Sequence, residues 1–153
     1  MKKIIFLVLA SCACFCYEKE EKLPLAQSYR YVGLDVPLYF IPGVCVGEKI
    51  KLSDTDSGDY SIGAHINPWL VQVYGSVKRD YYYKKNMYVG SGIFAGFVKY
   101  NAYDKVIFAF APVICHGWEH GDSFSEINVY CPSFSTAGAV YKPNVTYKLG
   151  FKF

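Results

Sequence analysis

The run His116-Gly117-Trp118-Glu119-His120-Gly121-Asp122-Ser123 holds the densest set of chemically competent side chains in this 153-residue sequence. Two imidazoles, two carboxylates and a hydroxyl are the parts of a metal centre or of a general acid–base pair. The HxxxH spacing gathers ligands on a helix, but the interleaved glycines disfavour one. Residues 116–125 therefore read as an exposed hairpin loop, the longest non-strand stretch of the chain. His65, just before the Asn67-Pro68 break, reads as structural. The chain has no Gly-x-Ser-x-Gly elbow, no Walker loop and no dinucleotide fingerprint. Cys45, Cys115 and Cys131 show no CxxC spacing and read as buried thiols or one bridge. No metal and no cofactor is assigned. His116, His120, Asp122 and Ser123 stand as catalytic candidates without a mechanism.

The elements that would position these residues are strands. No segment after the first sixteen residues carries an apolar stripe of period 3.6, whereas period 2 recurs. Val44, Val46, Ile50 and Leu52 share one face, interrupted by Glu48, with Cys45, Gly47, Lys49 and Lys51 opposite. Trp69, Val71, Val73, Gly75 and Val77 alternate with Leu70, Gln72, Tyr74 and Ser76. Gly90, Gly92 and Gly96 share a face, which predicts a narrow, crowded side. Val106, Phe108, Phe110, Ile114 and Trp118 oppose the small Ala109, Ala111, Cys115 and Gly117. Turns are expected at residues 53–58, 67–68, 78–80, 100–105 and 142–144, where polar residues, Gly or Pro break apolar runs. The count is about eight strands between Tyr29 and Phe153.

The amino terminus reads as an address. Lys2 and Lys3 precede an apolar run over residues 4–10 and then the small Ser11, Cys12 and Ala13. This is the pattern of a secretory signal, too short to span a bilayer as a helix. Two cleavage sites compete. Leu9-Ala10-Ser11-Cys12 resembles a bacterial lipobox, which would end the signal at residue 11 and make Cys12 the lipid attachment site; ordinary cleavage would follow Ala13. The expected division is a signal peptide over 1–13, a charged tether or short amphipathic segment over 14–28, and one all-β domain over 29–153.

The last nine residues set the solvent of that domain. Val145, Tyr147, Leu149, Phe151 and Phe153 fall on one face and Thr146, Lys148, Gly150 and Lys152 on the other. A strand crossing a bilayer needs about nine to eleven residues with an apolar outer face. Its backbone edges must also be paired, which demands a closed barrel. The expected fold is a small antiparallel up-and-down β-barrel of about eight strands. Trp69, Tyr81, Tyr82, Tyr83, Trp118 and Tyr147 are candidates for the aromatic girdles where a ring meets lipid and its polar tip meets water. Lys78, Arg79, Lys84 and Lys85, around the three tyrosines, form a basic-aromatic patch suited to anionic headgroups. The competing reading of the same alternation is a soluble β-sandwich.

The terminal Phe151-Lys152-Phe153 resembles the carboxy-terminal insertion signal of Gram-negative outer-membrane barrels. Leu38-Tyr39-Phe40-Ile41-Pro42 and Val129-Tyr130-Cys131-Pro132 resemble the first-strand and late Tyr-Ile-Pro stretches of the lipid A palmitoyltransferase type. This resemblance implies a membrane barrel preceded by an amphipathic segment. It does not extend to the catalytic pattern. The family's His past the first Pro has no counterpart in residues 43–49. Asp80 lies where the family has an Asp-Ser pair, but Tyr81 follows it. Asp80 joins the candidates on that ground alone.

The expected protein is thus an exported outer-membrane or cell-surface barrel of the cell envelope. Its expected partners are membrane lipid or lipopolysaccharide and the barrel-assembly machinery. The net charge of +3 is too small for a nucleic-acid footprint. A divergent lipid A acyltransferase and a Cys12-tethered β-sandwich lipoprotein acting as a binding module are the alternatives.

Overall fold

The computed structural model describes residues 26–37, 42–66, 68–100, 105–131, 134–136 and 144–153. The signal segment, Cys12, most of the tether, residues 38–41 of the first barrel motif and Pro132 of the second lie outside them. Strands run β1 (Tyr29–Pro37), β2 (Gly43–Lys51), β3 (Asp56–Ile66), β4 (Leu70–Lys84), β5 (Met87–Tyr100), β6 (Val106–His120), β7 (Ser123–Tyr130), β8 (Phe134–Ser135) and β9 (Asn144–Lys152). β1 to β7 each pair antiparallel with the next strand in sequence, and β9 pairs with both β7 and β1, so one sheet closes on itself. β7 and β8 both lie against β6, bridged by the Cys131 amide donating to the Pro112 carbonyl at 2.9 Å, and count as one interrupted strand. The result is an eight-stranded antiparallel closed barrel. A β-sandwich needs two sheets with free edges, and closure removes that alternative.

The alternation read from sequence is the alternation of the wall. Along β9, Tyr147, Leu149 and Phe151 point out while Thr146, Lys148 and Gly150 point in. The same parity holds for β2 and β6. The glycine face of β5 does point inward, and it is crowded. A Cβ on Gly92 would lie 2.0 Å from the Val77 carbonyl oxygen, and one on Gly90 2.1 Å from Asp80 Oδ1. Gly92→Ala is therefore expected to cost about 1–3 kcal/mol, as overpacking does. Gly75→Ala, where the added Cβ would meet only the Ser61 carbonyl oxygen at 3.7 Å, should leave the urea midpoint in place or raise it. Equal midpoints for the two variants would contradict this wall geometry.

Three expectations about turns need correction. Residues 78–80 do not turn; they sit inside β4, with Lys78 and Asp80 on its inward face. Charge breaks a strand pattern only if the inside is apolar, and here it is not. Residues 116–125 are strand on both sides of a tight turn at Gly121-Asp122, with Gly121 at φ 54°. β3 begins at Asp56, inside the expected 53–58 turn. Tyr82, a girdle candidate, is buried in the interior, because it shares the parity of Lys78 and Asp80.

The barrel has two unlike ends. Tight turns at 85–86 and 121–122 and the 52–55 connection gather at one end, together with Ala26 and Phe153. The connections from β1 to β2, β3 to β4, β5 to β6 and into β9 leave from the other end, all but the three residues between β3 and β4 longer than those turns.

Candidate functional site

Hydrophobic and polar side chains have exchanged their usual places. Among the described residues, the outer wall exposes Leu34, Val46, Ile62, Val73, Ile93, Phe97, Phe108, Ile114, Leu149 and Phe151. The buried set includes Lys49, Lys78, Lys148, Asp35, Asp59, Asp80 and Glu126. Water-soluble proteins almost never bury such charges unless paired. Here Lys49, Lys78 and Lys148 pair with Asp59, Asp80 and Glu126, and Asp35 lies against His65.

The network is built from strand parity. Lys78 of β4 lies 3.0 Å from Asp59 Oδ2 of β3 and also bonds Glu126 of β7 across the lumen. Lys49 of β2 reaches Asp80 Oδ2 at 2.7 Å, with its ammonium 3.3 Å from the centre of the Tyr88 ring. The Tyr31 hydroxyl donates to Asp59 at 2.7 Å and the Tyr88 hydroxyl to Glu126 at 3.0 Å. Phe124 packs edge-on to Tyr31, ring centres 4.8 Å apart. At the short-turn end, Glu119 accepts from Tyr29 and Tyr82 and pairs with Lys152 at 2.7 Å. Ala26 seals that end against Tyr82, Tyr88 and Cys115. Towards the other end, Tyr74 donates to Asp35 at 2.9 Å, His65 lies 3.6 Å from the same carboxylate, and His65 stacks on Tyr74. Among the described residues, these charged side chains share the lumen with the rings of Tyr31, Tyr74, Tyr88, Phe94 and Phe124.

The sequence-derived candidates do not converge. Asp80 is wholly buried and held by Lys49. His116 and His120 both face outward on β6. Four strand residues separate their Cα atoms by about 13 Å, too far to share one ion. Glu119, between them, points inward to Tyr29, Tyr82 and Lys152. His116 bonds the Tyr83 hydroxyl at 2.6 Å and packs on Trp118. His120 meets the Ser125 hydroxyl at 3.4 Å. Asp122 is in the turn, and Ser123 donates to the His120 carbonyl at 3.1 Å. Asp80, Cys115 and Glu126 do come within 4.8 Å of one another. Both carboxylates, however, already carry a lysine partner, so a cation entering there would meet two ammonium groups. Cys45 and Cys115 are buried free thiols, and Cys131 is free and half-buried.

Lys49, Asp59, Glu126 and Lys148 are not among the sequence-derived candidates, and Lys78, expected in a headgroup-facing basic patch, points into the lumen instead, because it shares the inward parity of β4. The signal was present: Lys49 and Lys148 were already opposite apolar faces. What pattern cannot supply is which lysine meets which carboxylate across the lumen.

Aromatic residues collect at both rims of the outer wall. Tyr81, Tyr83 and Trp118 lie near the short-turn end, and Trp69 (72% exposed), Phe97 and Phe108 near the other. Comparisons with protein-family models, with curated proteins and with solved structures return no match to this chain.

Proposed function

We propose that this protein is a bilayer-embedded barrel of the outer-membrane type, a cell-envelope protein acting through its outer wall and longer loops. One observation carries the reading. The outer wall is apolar and the core ionic, the reverse of a water-soluble fold and the distribution expected when hydrocarbon solvates the outside. Aromatic rims at both ends support it, since amphipathic rings favour the lipid–water boundary. The short-turn end, with Ala26 and Phe153, would face the periplasm and the longer connections the exterior. The ion-paired lumen favours neither a water channel nor an enclosed acyl-chain site. Membrane lipid, lipopolysaccharide and the assembly machinery are its partners on this reading, and Cys12 acylation would add a second anchor at the short-turn end.

Expression of the full chain in a Gram-negative host tests it. The protein is expected in the outer-membrane fraction, extracted only by detergent, with gel mobility that changes on boiling. A processed chain that is monodisperse and folded in plain buffer would overturn the reading. Mass spectrometry of lipid A from the same cells adds a second arm: an added acyl chain dependent on expression would replace this function with acyl transfer.

A further inference from the structure

The outer wall carries a shallow concavity of about 890 Å3 crossing strands β1 to β5. Two neighbouring cross-strand rows define it. One runs Arg30, Glu48, Tyr60, Val77, Ile93, and the next runs Val46, Ile62, Gly75, Ala95. The depression lies where Gly75 meets Ala95. The rows climb the wall: Arg30 is the second residue of β1 from the short-turn end, whereas Ile93 is mid-strand on β5. The groove thus starts beside a cation and an anion at the rim and ends among apolar side chains at mid-height.

The barrel does not need glycine at position 75. Gly90, Gly92 and Gly96 face inward, and a Cβ there would clash, whereas Gly75 faces outward with room for one. Glycine weakens a strand interior and, where packing does not require it, marks close approach by something else. At the groove's rim, Arg30 and Glu48 are joined by a single long contact, Nε to Oε1 at 3.4 Å, with side chains 69% and 47% exposed. This pair offers one guanidinium for a phosphate and one carboxylate for an ammonium.

Resting on the membrane reading above, we propose that this groove binds one glycerophospholipid whose headgroup carries both a phosphate and a primary ammonium. The phosphate sits on Arg30, the ammonium on Glu48, and an acyl chain follows the Ile62–Gly75–Ala95 depression. A purely anionic lipid would satisfy Arg30 and leave Glu48 facing like charge.

Full-length protein in mild detergent is mixed with palmitoyl-oleoyl phosphatidylethanolamine or with phosphatidylglycerol bearing the same chains, and bound lipid is counted by native mass spectrometry. The ethanolamine lipid is expected to be retained about tenfold better. Gly75→Leu should remove most of that retention while boiling-dependent gel mobility is unchanged, and Ala95→Leu serves if the first variant does not fold. Glu48→Gln should abolish the preference between the lipids. Unchanged retention in the folded groove variants, equal retention of both lipids by the parent, or a Gly75-dependent dimer would each overturn the proposal. A barrel that needs detergent yet holds no lipid sinks only this site; one that needs no detergent sinks the membrane reading itself.

Discussion

Lys78→Met is expected to destabilise the barrel by about 3–5 kcal/mol, because it strips the shared cation from two buried carboxylates. Asp59 and Glu126 both lean on that ammonium, and both are fully buried. Methionine keeps the chain length, so a cavity explains little of the loss. Removing one of the stranded charges should restore part of it. Lys78→Met with Glu126→Gln is expected to be more stable than Lys78→Met alone, and the double-mutant cycle gives the coupling directly. The neighbouring residue is the control. Arg79 also makes an ion pair, with Asp56 at 3.1 Å, but it is exposed on the outer wall. Arg79→Met should shift the urea midpoint little. If the two adjacent substitutions behave alike in vesicles, the ionic core is not what holds the lumen together.

The second large effect lies on the other side of the wall. Ile114 is near the middle of β6, faces outward and is 38% exposed. Ile114→Arg is expected to cost about 2–4 kcal/mol when the barrel unfolds from vesicles, the penalty for a cation at bilayer mid-depth. On a wall facing water the same change would lie within about 0.5 kcal/mol. The measurement is urea unfolding followed by tryptophan fluorescence, Trp69 and Trp118 being the chain's two reporters. A negligible loss would show that hydrocarbon does not surround this position. The two predictions oppose each other in sign of environment: deleting a charge is costly inside, and adding one is costly outside.

Much of the fold was legible because a strand has a period of two and each segment states its own faces. Val145 to Phe153 gave both faces of β9, and the glycines of β5 announced a crowded interior. The charges of Lys78 to Asp80 predict a solvated turn, whereas in this barrel charge marks the core. Residues 116–125 read as a loop because their glycines disfavour a helix, yet Gly117 lies inside β6 and only Gly121 turns the chain. Strand geometry then put His116 and His120 apart, and put Glu119 on the opposite face.

Local sequence therefore determined the strand alternation, the number of strands and the apolarity of one side of each, since these depend on neighbours along the chain. Closure decided the rest. Only when β1 meets β9 does one face of every strand become an interior, and only then do Lys78, Asp59 and Glu126, far apart in sequence, fall within bonding distance. Ion pairing across a lumen is a property of the ring, because charges on a lone strand cannot choose partners that the fold has not yet brought near.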